Sequence, residues 1–491
     1  LITFGNQSGD AGWGIWTVCS TAAGRFILYC DEVNGLYIYT EAGAWAKIAV
    51  GTRQAWAGST AYVIGNRVVN GTNVYVCDTD GTSASSGGPT GTGTDIVDGT
   101  TRWDYVAAVS TTAIGPSLAD QNLSFTADPA NFCFVTVHGS RVWLVEKSTA
   151  RAYYLDVNAI YGTATSFNFG AKLKSGGSLQ GLWPWSYDGG SGMDTLLVGI
   201  SAAGDVVIFQ GTDPTSATTF SLKGVWSVGS VPFGRRIATE RGGELLILST
   251  LGLQPLSPLV SGQAAQYATA KIANLFSVLA QTYGTLRGWA LTLHPTDNAL
   301  MVMVPQAAGD ASIQLVMSFS TGGWSQYRDL PIVSAAVWQG ELYFGTEDGR
   351  VCRMRGYVDG ITLAAPNTWT AVGWSLLTAF QNLGNMRQKR VHSVRPMLLA
   401  ETPTPNVVAT AKYNYDTAEP SAPTDSGLGA EGTWGYSTWD SSVWGGGQTA
   451  YQPIQGAAGM GRDVAIALRG NSITRTILVG VDVLYEQGGM L

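Results

Sequence analysis

Phe134-Val135-Thr136-Val137 runs up to His138-Gly139, and Val142-Trp143-Leu144-Val145 leads through Ser148-Thr149 into Ala152-Tyr153-Tyr154-Leu155. Further on, Leu196-Leu197-Val198-Gly199-Ile200 turns at Ala203-Gly204-Asp205 into Val206-Val207-Ile208-Phe209. Branched and aromatic residues fill a pleated surface well, and the intervening Gly, Asp and Ser supply the positive φ that tight turns need. Phe132 to Phe209 therefore reads as antiparallel hairpins in series.

The unit recurs outward from this stretch. Asn34-Gly35 interrupts Arg25–Tyr39, and Gly252 separates Leu245–Leu248 from Leu253–Leu256. Asn298 separates Leu291–Leu293 from Leu300–Val304, and Asp348-Gly349 separates Leu342–Phe344 from Val351–Met354. Gly204, Gly252, Asn298 and Gly349 stand 48, 46 and 51 residues apart. Paired strands at such a period are the sequence mark of propeller blades, each a small sheet that buries its faces only against its neighbours. The expected fold is all-β, a β-propeller of about six blades with a small inserted β module and a C-terminal β-sandwich-like domain. The expected divisions are 1–51 for the propeller start, 52–107 for the insertion, 108–355 for the rest of the propeller and 356–491 for the last domain.

The 491 residues are 13% charged, about half the usual ~25%, and include 63 Gly and 17 Trp. So few charges fit a surface covered by partners or by copies of itself; a Thr/Ser/Gly-rich surface on a free β protein is the alternative. A net charge of −7 argues against a groove that grips phosphates, which needs clustered Lys and Arg. The one basic cluster, Arg387-Gln388-Lys389-Arg390 with His392 and Arg395, reads as an exposed strand or interface edge.

Residues 52–107 break the repeat, as an insertion would. They carry Ala55-Trp56, Thr60-Ala61-Tyr62, Asn73-Val74-Tyr75-Val76-Cys77 and Thr101-Arg102-Trp103-Asp104-Tyr105. This resembles the small three-stranded chitin-binding-like modules of carbohydrate-binding families five and twelve. The resemblance makes Trp56, Tyr62, Tyr75 and Trp103 the module's core or a weak glycan contact. The aromatic pair that carries chitin binding in those modules is replaced here by Asp78-Thr79-Asp80-Gly81-Thr82-Ser83, which offers no flat ring for a sugar.

Ala264–Tyr283 is the one helical stretch, with Ala268, Ile272, Leu275, Phe276 and Leu279 on one face. Near the end, Trp434, Trp439 and Trp444 recur at five-residue steps among glycines. They suit an oligomer or partner contact, and spaced exposed rings would equally stack on sugars.

Val137-His138-Gly139-Ser140-Arg141-Val142-Trp143, Tyr154-Leu155-Asp156, Gln210-Gly211-Thr212-Asp213-Pro214 and Gly234-Arg235-Arg236, with the Trp434–Trp444 run, resemble the tail proteins of short-tailed bacteriophages known as tail tubular, nozzle or packaged-DNA-stabilisation proteins. The resemblance spans residues 24–260 and 430–491. It implies a virion protein, a hub or nozzle subunit in a homo-oligomeric ring, six-fold by family analogy. It further implies an adaptor ring below the portal, tail fibres or spikes and a tail needle or plug as partners, and DNA passing without sequence-specific binding. Host-surface glycan is a further partner in the glycan-binding reading, met by the inserted module or the Trp434–Trp444 run.

Chemistry is sparse. His138, His294 and His392 lie far apart, and the five cysteines form no CxxC. No GxSxG, HExxH or GxxxxGK[ST] occurs, and no cofactor or metal set is expected. Asp188, Asp194, Asp205 and Glu244 are the nearest to a glycosidase carboxylate pair, and read as turn residues. The rival functional readings are a glycan-binding surface protein and, behind it, a glycoside hydrolase.

Overall fold

The structure is a computed structural model that describes residues 13–22, 24–40, 45–47, 54–64, 66–108, 113–114, 129–160, 162–188, 193–307, 313–346, 349–359, 370–401, 404–423, 431–432, 443–444 and 449–488. Two compact units part between Met354 and Arg355.

Among the described residues of the first unit, hairpins stack into six consecutive meander sheets, the blades of a β-propeller. Sheet one is Ile15–Thr21, Gly24–Asp31, Gly35–Thr40 and Trp45–Lys47. Sheet two is Phe132–His138, Arg141–Glu146, Arg151–Tyr154 and Thr165–Asn168. Sheet three is Leu179–Asp188, Met193–Ser201, Asp205–Gly211 and Phe220–Ser227. Sheet four holds Ala238–Arg241, Glu244–Ser249 and Gly252–Pro255. Ala290–His294, Ala299–Val304, Ile313–Ser318 and Trp324–Arg328 make sheet five, and Ile332–Trp338, Glu341–Thr346 and Val351–Met354 make sheet six.

Alternation explains the stacking. In sheet two, Trp143 and Val145 join a core shared with sheets three to five, while Val142 and Leu144 join a core shared with sheet one. Leu300 and Val302 of sheet five likewise face sheet four, and Met301 and Met303 face sheet six. A strand buried on both faces reads as an unbroken apolar run, which is why Phe132–His138 carries so few polar residues. Full burial of each such Val, Leu or Phe contributes about 1.5–3 kcal/mol.

Five of the six expected turns join the second and third strands of their sheets; Asn298 joins the first and second strands of sheet five. The offset follows from what precedes it. Among the described residues sheet four has no fourth strand, and its outer edge is covered by the chain at Ala268, whose N–H donates to the Leu253 carbonyl at 2.8 Å, and by Thr269 Oγ1, which accepts from Leu253 N at 3.2 Å. That pairing also corrects the expected helix. Ala264–Thr269 is not helical; a short 3-10 turn at Ala270–Ile272 leads into an α-helix over Ala273–Tyr283. Edge pairing overrides local helix propensity there.

The inserted module is a sheet of Ile96–Asp98, Thr101–Ala108, Asn73–Thr79, Arg67–Asn70 and Gln54–Ala55, with a separate pair, Ala61–Tyr62 and Gly81–Thr82. It has its own core.

The second unit is a β-sandwich-like domain. One sheet orders Val358–Asp359, Thr370–Leu377, Val464–Ser472 and Asn406–Tyr413. In the other, Lys389–Ala400 pairs with Thr476–Gln487 on one side and with the short strands Thr449–Tyr451 and Gln455–Gly456 on the other. Val391, Val394 and Leu398 meet Val407, Ile466 and Leu468 between them.

Candidate functional site

The segments singled out in the sequence converge. His138 and Arg141 face each other across the first hairpin of sheet two, and both reach the Gly211–Asp213 end of sheet three. His138 Nε2 donates to the Gly211 carbonyl at 2.7 Å, since a carbonyl can only accept. Arg141 Nη2 lies 3.2 Å from Asp213 Oδ1, its Nη1 donates to the Leu155 carbonyl at 3.3 Å, and its guanidinium stands over the Tyr154 ring. Gly211 has φ +113°, and a Cβ there would strike the Thr219 carbonyl, so no other residue fits. Asp213 also accepts from Thr215 N and Oγ1, which closes the Asp-Pro turn and holds its carboxyl below the usual carboxylate range. Burial lowers the His138 pKa, leaving the ring neutral at pH 7.

Gly234-Arg235-Arg236 reaches across more sheets still. Arg235 Nη1 donates to the Leu179 and Gln180 carbonyls of sheet three, at 3.2 and 2.8 Å, and its Nε to Glu32 Oε1 at 2.7 Å. Glu32 sits in a turn of sheet one and also pairs with Arg287 at 2.7 Å. Arg236 donates to the Gly14 carbonyl, just before sheet one, and to the Ala335 carbonyl of sheet six at 2.9 Å. Its own carbonyl accepts from Leu291 N of sheet five at 2.8 Å. Desolvation lowers the Arg236 pKa, and the two Gly14 contacts of 3.1 and 2.7 Å keep the buried charge solvated by backbone. Two adjacent residues thus tie sheets one, three, five and six together. A small cavity beside them is lined by Trp13, Gly288, Trp289, Met303 and Val333.

In the module, Tyr62, Tyr75 and Trp103 are buried and Trp56 is half-buried against them. Buried Asp98 accepts from Trp56 Nε1 at 2.7 Å, from Trp103 Nε1 at 3.0 Å and from Ala84 N at 3.0 Å. Tyr62 packs edge-on against Trp103, with centroids 4.9 Å apart. These rings spend their faces on one another, so none of the three buried ones presents a platform to a sugar. Asp80, in the place of the missing aromatic pair, accepts from Ile64 N at 2.5 Å.

Trp434 and Trp439 lie outside the described residues. Of Trp444 the structure describes the backbone, in a two-residue strand parallel to Glu431–Gly432.

Two members of the basic cluster meet carboxylates of a neighbouring strand. Arg395 Nε donates to Asp482 at 3.1 Å and His392 Nε2 lies 3.3 Å from Glu486, both across to the strand Thr476–Gln487. Lys389 is fully buried, its Nζ donating to the carbonyls of Asn385, Arg387 and Arg462 at 2.7, 2.8 and 3.0 Å. The carboxylates are engaged too. Glu244 caps a short helix at Leu256 N and Ser257 N, Asp194 binds Gln210 and Lys223, and Asp205 takes Ser175 N.

Sequence reading missed Glu32, Asp98 and the buried role of Lys389. Nothing local to Asp98 marks it as the acceptor for two indoles.

No family model matches the chain, and no curated protein matches it. Among solved structures it is similar to apo AztD from Citrobacter koseri, at 12% identity and a TM-score of 0.30 over 62% of this chain and 69% of that one. It is also similar to a glycoside hydrolase family 43 arabinoxylan arabinofuranohydrolase from Bacillus subtilis, at 7% identity and a TM-score of 0.25 over 73% and 94%. A third likeness is to the WD40 domain of SCAP from fission yeast, at 6% identity and a TM-score of 0.24 over 93% and 94%. Likenesses this distant assign no activity and no ligand.

Proposed function

We propose that the protein is a structural virion component, a subunit of a ring at the tail of a short-tailed bacteriophage that surrounds the DNA exit path and holds fibres or spikes. The observation that carries this reading is what the resemblance-bearing residues do. His138, Arg141, Gly211, Asp213, Arg235 and Arg236 are turned into the fold as ties between sheets, which is the work of a scaffold. A net charge of −7 suits a wall past which DNA slides, because like charge avoids the phosphate contacts that would stall it.

The test is the mass of the full chain by light scattering, with negative-stain images, alone and with its adaptor ring. A closed ring with a central hole is the expected result. A monomer that ignores the adaptor and is retained on a polysaccharide column overturns it. One observation favours that second, glycan-binding reading: Trp338, 60% exposed at the tip of a hairpin, stands beside Tyr343 with ring centroids 5.8 Å apart. Retention that disappears in Trp338→Ala would assign the surface.

A further inference from the structure

Natural sheets protect their outer strands with Lys, Pro, short length or a covering segment, since a bare edge offers a row of unpaired N–H and C=O groups to any other strand. The strand Thr476–Gln487 has little of this. It is twelve residues long, contains neither Lys nor Pro, and pairs only with Lys389–Ala400 among the described residues. A bulge at Val479 bends its first part and leaves Gly480–Gln487 as an unbulged run on this strand. None of the twelve residues is fully buried, whereas every second residue of its partner is, and Val479 and Leu484 are 62% and 64% exposed. Its two acidic side chains are already engaged, Asp482 by Arg395 and Glu486 by His392. What remains on offer is neutral backbone flanked by aliphatic side chains.

The same unit has a second edge of this kind. Thr370–Leu377 pairs with Val464–Ser472 along Val372–Leu377, and on its other side, among the described residues, with Val358–Asp359 at Thr370 and Ala371. Val372-Gly373-Trp374-Ser375-Leu376-Leu377 carries no charge, and Leu376 and Leu377 are both 39% exposed. Two different bare edges per subunit, neither repelling the other, are what a head-to-tail contact needs, and only such contacts close into rings of more than two.

We propose that Gly480–Gln487 of one copy adds as a β-strand to Val372–Leu377 of the next, and that this strand addition is the ring contact. The inference rests on the ring reading above and supplies its interface. Main-chain hydrogen bonds give such a contact its affinity, and the flanking aliphatic side chains its register.

The experiment uses the full chain and two edge variants, V479K/L484K and L376K, all at exposed positions. Circular dichroism melts matching the parent show that the variants fold. Each variant alone is expected to be monomeric by light scattering, whereas the parent forms a ring. Mixed one to one, they are expected to give a dimer and nothing larger, since each retains one working edge. Backbone amides of Gly480–Gln487 should gain exchange protection as parent concentration rises. If both variants assemble to the parent mass, the strand contact is overturned and the ring reading stands. If L376K alone dimerises, the contact is a self-pairing of Thr476–Gln487 and the head-to-tail assignment fails. A parent that is monomeric with and without the adaptor ring overturns both.

Discussion

Arg141 and Asp213 stand 72 residues apart in the chain and 3.2 Å apart in space, and the contact is where sheets two and three are clasped together. Replacing Arg141 by Met keeps much of its packing over Tyr154 but leaves the Leu155 carbonyl short of a donor. The expected loss is about 1–3 kcal/mol in urea unfolding of the first unit. Asp213→Asn, at a more exposed partner, should cost visibly less in the same experiment.

His138 should make stability fall on the acid side. Its folded pKa lies below its ordinary value of 6.5 because burial disfavours the imidazolium. The unfolded chain therefore binds the proton more readily, and the contribution is complete above about pH 6.5 and lost as pH falls through the folded pKa. A His138→Gln variant should show a flatter denaturation midpoint between pH 7 and 5 than the parent. Parallel curves would remove His138 as the source.

Asp98 is the acceptor on which the inserted module closes. Asp98→Ala strands two indole N–H groups and one backbone N–H, at an expected cost of about 2–4 kcal/mol. The reporter is built in, since Trp56 and Trp103 should shift to redder fluorescence on local unfolding while the rest of the chain keeps its melt.

Lys389→Met should unfold the second unit earlier, by on the order of 2 kcal/mol, because three carbonyls lose the one buried ammonium they share. Lys389→Arg is not expected to rescue it, as a planar fork cannot place donors on the same three acceptors.

Thiol titration of the native protein should find one fast-reacting cysteine and denaturation should reveal the rest of the five. Cys352 is half-buried, whereas Cys19, Cys30, Cys77 and Cys133 are buried. Desolvation pushes Cys30 well above the ordinary thiol range and Cys133 to about 11, so neither supplies thiolate near neutrality.

Much of this architecture was legible because hairpins are local. Asn34-Gly35 and Ala203-Gly204-Asp205 announce turns within a few residues of the strands they join, and the strands' apolar runs report burial on both faces. The ties were not legible, because nothing near Glu32 in sequence mentions Arg235, and nothing near Arg395 mentions Asp482. The helix was overread for a related reason: the partner of Ala268 is Leu253, and a backbone hydrogen bond across fifteen residues leaves no mark in a periodicity. Asn298 was counted into the period on turn chemistry alone, which does not say which pair of strands a turn connects.

Arg236 reaches the chain at Gly14, just before sheet one, and sheet six at Ala335, and Arg235 holds sheet three to a turn of sheet one, so guanidinium groups tie the start of the fold to its third and last sheets. These cations are spent on the fold's own carbonyls and on Glu32. In the ring proposed above, the bore would be formed between subunits, with these two arginines turned to the fold instead of to the DNA.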